Sequence, residues 1–226
     1  MNRTRGPSVS ETLLVLLAVG AIPFVLLATT SFAKLSIVLG MLRSALGAGQ
    51  LPSASIVVVL AGILTGYVML PVARAVLEVS AAPLAKLDTR APFAADSGEA
   101  LRRAFELGKE PVRDFLARNA GAPERRAFLE LLRRRMPEDL RAGVSDADFG
   151  VVLPAFFITE LKEALELGFL LLLPFLVLDL VVASILASLG MSALPPAGVA
   201  LPFKLLLFVS VDGFRTLAET LISGYR

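Results

Sequence analysis

Histidine and cysteine are both missing from the 226 residues. Without cysteine there is no disulfide and no thiol chemistry. Without histidine the commonest general base and the commonest transition-metal ligand are gone. A hydrolase or a zinc centre would have to be built from carboxylates and hydroxyls alone. The expectation is a protein that is not an enzyme and holds no cofactor or metal. A basic face interleaved with aromatics is also lacking, and net charge is only +2, so no nucleic-acid partner is expected.

Charge itself is missing over long stretches. Residues 12–33 carry none, and neither do residues 44–73. Each run exceeds the roughly 18 residues that mark a transmembrane helix candidate. Hydrophobic residues make up 56% of the chain, above the about 45–50% of soluble domains. These features specify an integral membrane protein. The start, with Arg3 and Arg5 before an apolar run, resembles a secretory signal. The run is longer than the roughly 7–15 residues of a signal core, and it reads as a retained first helix.

Four apolar blocks flank one polar insert: about 12–33, 54–77, 151–187 and 196–222. This divides the chain into N-terminal apolar helices (1–77), a polar helical insert (78–150) and a C-terminal hairpin (151–226). Between the first two blocks lies KLSIVLGMLRSALGAGQLPSAS, punctuated by Gly and Pro and carrying Lys34 and Arg43 but no acid. Read as a short connection, its basic excess keeps it cytoplasmic and puts the insert and both termini outside, if all four blocks span. The insert is balanced, with thirteen basic and thirteen acidic residues from 78 to 148. Val112, Phe115 and Leu116 recur at helical spacing, as do Phe128, Leu131 and Leu132. Pro111 and Pro123 suit the first turns of two helices, and Gly121 and Gly143 the breaks. Arg133–Arg135 read as a solvated helix face. In the second block Gly62 and Gly66 form a G-x-x-x-G that lets helices approach closely, within the chain or between chains.

The second half carries charges that a lipid-facing helix could not hold. Glu160, Lys162, Glu163, Glu166 and Asp179 interrupt the third block; Lys204, Asp212 and Arg215 interrupt the fourth. The stretch between Glu166 and Asp179 is too short to cross about 30 Å of hydrocarbon at about 1.5 Å per residue. Each immersed charge costs from about 2.5 kcal/mol upward. Lys162 with Glu166, and Asp212 with Arg215, have the spacing of local helical pairs. Glu160, Glu163, Asp179 and Lys204 have no such local partner. They need a water-filled pathway, a pairing across the hairpin, or a pairing between subunits. In the last two cases Lys204 must find a carboxylate, with Glu160 the first choice. The loop between the blocks, LGMSALPPAGVALP at 189–202, is uncharged, and copies of it brought together would form a soft apolar constriction around Met191.

PAFFITELKEALELGFLLLLPFLVLDLVVASIL (154–186) and LPFKLLLFVSVDGF (201–214) resemble the two signature segments of the FliP/SctR family. TTSFAKLSIVLGMLRSALG (29–47) resembles its N-terminal block. The resemblance implies an all-α membrane protein of bent helical hairpins around a small extracytoplasmic helical insert. It implies a core subunit of the type III secretion export gate, the entry pore for unfolded secreted proteins, with an injectisome preferred to a flagellum. Implied partners are further copies of itself in a pentamer, FliQ/SctS-like and FliR/SctT-like subunits in a helical pseudo-hexameric assembly, FlhB/SctU-like and FlhA/SctV-like components, and membrane lipid. The implied location is the bacterial inner membrane, with the assembled complex largely at the periplasmic level of the secretion basal body. Carried over by position, Glu160 and Lys204 match charges that pair between neighbouring subunits, and Met191 matches a methionine-rich gasket. The family often has two or three consecutive methionines there, whereas this chain has one, so the seal would rest on Leu189, Met191 and Leu194 together. Glu163, Asp179, Asp212 and Arg215 are the remaining expected buried charges. The competing class is a small-solute transporter or ion channel subunit with a midplane site; a third is a membrane anchor whose insert binds a partner.

Overall fold

The computed structural model describes residues 9–47, 52–86, 95–191 and 193–226. Arg3, Arg5 and Ser192 lie outside them. Among the described residues there are nine helices and no strand. They are α1 (Val9–Thr29), α2 (Phe32–Leu46), α3 (Ala54–Leu84), α4 (Ala95–Asn119), α5 (Ala122–Arg135), α6 (Glu138–Arg141), α7 (Phe149–Ser188), α8 (Pro196–Ser210) and α9 (Gly213–Ser223).

The chain is an all-α membrane protein built of bent hairpins. Two helices, α3 and α7, are each long and apolar enough to cross a membrane. The 40 residues of α7 run about 60 Å, twice a hydrocarbon core. The first and fourth apolar blocks are not straight: residues 23–29 of α1 meet α2 at 83°, and α8 meets α9 at 59°.

The centre of the fold is α2. Leu35, Val38, Leu39, Leu42, Ala45 and Leu46 follow helical spacing and are all buried against α3, α7, Phe208 and Leu221. Gly47 closes the helix in the left-handed conformation (φ 67°), which only glycine adopts without strain. This overturns the reading of residues 34–55 as a basic connection. Its glycines and flanking charges masked the helical stripe, and Lys34 is neutralised inside the fold, so it carries no information about loop orientation.

The insert helices dock on the apolar ones. Phe115 and Leu116 of α4, with Ala120 just past its end, share a core with Val68 and Val72 of α3 and with Val152, Ala155 and Phe156 of α7. Ser80 Oγ donates to the Ala104 carbonyl at 3.2 Å, tying α3 to α4. Gly121 and Pro123 do start α5, and Arg133–Arg135 sit in its last turn, where the helix dipole favours cations. Pro111 does not start a helix. It lies well inside α4, which begins 16 residues earlier at Ala95.

Candidate functional site

The buried charges gather at two lysines. Lys34 stands just past the 83° bend and is 2% exposed. Its ammonium lies 3.0 Å from Glu160 Oε1 and 2.7 Å from Glu163 Oε2, both on α7. Glu160 and Glu163 are three apart and so share a helix face. The Tyr225 ring closes the third side, its centroid 4.1 Å from Lys34 Nζ. The Tyr225 hydroxyl donates to Glu160 Oε2. Burial, then the Glu160 carboxylate, pushes that phenol far above its ordinary range, which fixes it as the proton donor. Tyr225 also stacks on Phe115 at 6.0 Å. Asn119, at the end of α4, brackets the next residue: its Nδ2 donates to the Arg226 carbonyl and its Oδ1 accepts from the Arg226 N–H. One buried cation thus joins the N-terminal bend, the insert, α7 and the C-terminal segment.

Lys204 is equally hidden, at 3% exposure, but differently served. Its Nζ donates to Asp179 Oδ2 at 2.7 Å and to the Ala45 carbonyl at 3.0 Å. That carbonyl is at the C-terminal end of α2, where the helix dipole favours a cation. An ammonium has three donors, and here two are used. The other Asp179 oxygen, Oδ1, is buried without a hydrogen-bond partner. A Cβ on Gly47 would come within 3.6 Å of Lys204 Nζ, so the α2 cap and this ammonium fit closely.

Beyond Lys204 the hairpin closes on itself. Val182 and Leu186 of α7 pack on Ala200 of α8. The turn is a Schellman cap: Gly190 at φ 72° donates to the Ala187 carbonyl, and Met191 donates to the Leu186 carbonyl at 2.9 Å. Leu189, Met191 and Leu194 project from it at 66%, 44% and 41% exposure. The turn is shorter than the sequence suggested, because α8 already begins at Pro196 and holds Pro202 inside it.

At the 59° bend Asp212 takes φ 50°, a left-handed conformation that Asp tolerates better than most residues. A Cβ on Gly213 would fall 2.3 Å from the Phe208 ring, which itself meets Phe214 edge-on at 4.8 Å. Gly213 therefore has to be small. Gly62 and Gly66 face open space, with nothing within 4 Å of an added Cβ.

A family model described as the FliP family matches residues 13–221. The chain belongs to the FliP family. It is 36% identical over 219 residues to the probable translocation protein y4yL of Sinorhizobium fredii, covering 97% of this chain and 95% of that protein. It is 40% identical to the flagellar biosynthetic protein FliP of Caulobacter vibrioides, covering 90% of this chain and 71% of that protein. It is 35% identical to the Yop proteins translocation protein R of Yersinia pestis, covering 97% of each. FliP-family proteins are core export subunits of type III secretion, in flagella and in injectisomes, and are structural parts of that apparatus.

In this FliP-family chain the structure brings together only some of the residues singled out from sequence. Glu160 and Lys204 are not partners within one chain: Lys34 takes Glu160, and Asp179 takes Lys204. A Glu160–Lys204 pair between copies would be formed in exchange for these. The local pairs are corrected too. Arg215 reaches Glu219 at 2.8 Å, because Asp212 stands outside the helix at the bend. Lys162 lies 3.7 Å from Glu124, because α5 packs beside α7. Asp212 and Arg215 are exposed in the single chain, and Glu163 and Asp179 are partly so, hence none of the four is a fully buried charge there. Lys34, Tyr225 and Asn119 were missed. The signal for Lys34 was present, since an unpaired cation adjoining the helical stripe from Leu35 to Leu46 needs an acid, and α7 has three without a local partner, Glu160, Glu163 and Asp179.

Proposed function

We propose that several copies of this chain, with FliQ/SctS-like and FliR/SctT-like subunits, form the entry gate through which unfolded proteins leave the bacterial cytoplasm. The carrying observation is the α7–α8 tip: an uncharged turn, fixed by its Schellman cap, that presents Leu189, Met191 and Leu194 outward. Arranged in a ring, five such tips make an apolar collar that keeps ions out until a polypeptide wedges it open. The bent hairpins support placement of the assembled gate above the bilayer plane, at the periplasmic level of the inner membrane. FlhB/SctU-like and FlhA/SctV-like components act beside it. The expected pairing of Glu160 with Lys204 of a neighbouring copy belongs to the same reading and proceeds by exchange of the internal partners. Of the two apparatuses we assign the chain to an injectisome. Restoring secretion in an injectisome mutant but not motility in a flagellar mutant tests that assignment.

The gate itself is tested by electrical recording on the complex co-expressed with its FliQ- and FliR-like partners. Met191→Gly should raise the resting ion leak severalfold, because no second methionine stands beside it to share the seal. An unchanged leak removes the gating role. Solute-dependent flux from this chain alone would favour a transporter instead.

A further inference from the structure

Glu160 is 1% exposed, so a cation of a neighbouring copy cannot reach it unless a wall opens. One cavity, of about 320 Å³, leads there. Its lining includes Lys34 and Glu160, the turn between α4 and α5, and Gly224 and Arg226.

These walls are held differently. The α4–α5 turn is pinned on α7, because the Gly121 N–H donates to Thr159 Oγ1 at 2.8 Å and Ala120 is buried in the shared core. Residues 224–226 follow the end of α9 and belong to no helix. Gly224 and Arg226 are exposed. The segment is fastened by its side chain and backbone at the far end. Tyr225 donates its hydroxyl to Glu160 Oε2 and stacks on Phe115, and Asn119 brackets the Arg226 backbone.

Charge decides which partner of Glu160 can leave. Lys34 is 2% exposed, and taking its carboxylate away would strand a buried ammonium. Tyr225 is a neutral, half-buried phenol whose departure gives up a hydrogen bond and strands no cation. It vacates Oε2 and leaves Lys34 on Oε1. Lys34 faces two carboxylates, so the cluster accommodates a second ammonium, which binds Oε2 through a charge-assisted bond. Of the arginines that line the cavity, Arg125 is paired with Asp146 at 3.2 Å and Arg118 stays with α4. Arg226 leaves with the segment, which removes a like charge from the path of an incoming lysine.

We propose that residues 224–226 are a latch. Closed, it seals Glu160 inside the lone chain. In the assembled gate it swings off, and Lys204 of a neighbouring copy takes the place of the phenol at Oε2. This rests on the Glu160–Lys204 pairing proposed above and adds the device that regulates it.

The chain has no cysteine, so an engineered pair reports on the latch without background. Asn119→Cys/Arg226→Cys replaces the bracket with a disulfide. The chain purified alone in mild detergent should close it on gentle oxidation. The same chain copurified with its FliQ- and FliR-like partners should close it about tenfold less. Ser80→Cys/Gly108→Cys, between α3 and α4, should close equally in both. Asn119→Ala loosens the segment without touching Lys34 or Glu160. It should raise the self-associated fraction of the lone chain severalfold by native mass spectrometry, and Lys204→Met in that background should return it to the parent level. Equal closure in lone chain and complex, no closure in the lone chain, or self-association that is unchanged or indifferent to Lys204 would each overturn the latch. Rescue of Glu160→Lys by Lys204→Glu in the complex would then leave the pairing standing. Lost closure in the complex without that rescue would refute the pairing, and the latch with it.

Discussion

Lys34 and Lys204 are buried to the same degree and answer the same electrostatic demand in different ways. Lys34 is closed: two carboxylates and an aromatic ring surround it, and one of those carboxylates has a second donor in Tyr225. Lys204 is more open: it meets a single carboxylate, Asp179, which is 35% exposed, and one main-chain carbonyl, while each network leaves one buried carboxylate oxygen, Glu160 Oε1 or Asp179 Oδ1, without a hydrogen bond. A pair whose carboxylate is buried, as Glu160 is at 1% exposure, locks a fold. One whose carboxylate reaches the surface, as Asp179 does, can lock and still offer a handle to a neighbouring molecule. We propose that the difference divides the labour: the insert end of α7 holds the single chain together until copies exchange partners, and the hairpin end meets its neighbours first.

Removing Lys34 should have the largest effect. Lys34→Met strands Glu160 in a site 1% exposed, and losing one partner of a buried pair costs about 3–5 kcal/mol. Thermal unfolding of the detergent-solubilised chain reads this directly. The reversed pair Lys34→Glu/Glu160→Lys should regain part of the loss. If Glu160→Lys is rescued as well by Lys204→Glu in the isolated chain, the internal assignment is wrong. In the assembled complex that second rescue is the expected sign of partner exchange between copies.

Tyr225→Phe comes next. It keeps the stacking on Phe115 and the ring over Lys34 but removes a hydrogen bond to a carboxylate, worth about 1.5–3 kcal/mol. Faster amide exchange around Asn119 and Thr159 should accompany it, because Gly121 N–H donates to Thr159 Oγ1, on the residue next to Glu160. Lys204→Met should be the mildest for the single chain, about 1 kcal/mol, since the partly exposed Asp179 can turn to water. Its effect should appear instead as lost co-purification with FliQ- and FliR-like partners. A large thermal penalty with assembly intact would reverse the proposed division.

The need for these networks was legible before their partners were. The acids of α7 sit among leucines and phenylalanines, and arithmetic on span length shows they cannot face lipid alone. The matching cation could not be located that way. Lys34 lies 129 residues before Glu163, and no local periodicity reaches so far. The long helices α3 and α7 were evident from their apolar runs. The bends at Ser31 and Asp212 were not, since both occur inside continuous hydrophobic sequence with neither Pro nor Gly at the bending residue. Pro111 misled in the opposite way: a proline that usually opens a helix is tolerated within α4, in the half that packs on α3 and α7 through Phe115 and Leu116.

Lys34 also sets a schedule for biogenesis. At roughly 5–20 residues per second a ribosome needs on the order of ten seconds to reach the acids of α7 after it has made that lysine. Throughout this interval the N-terminal third bears a naked cation in the helix destined for the centre of the fold. It must linger at the membrane surface or in the keeping of the insertion machinery, and it can swing inward only once α7 emerges.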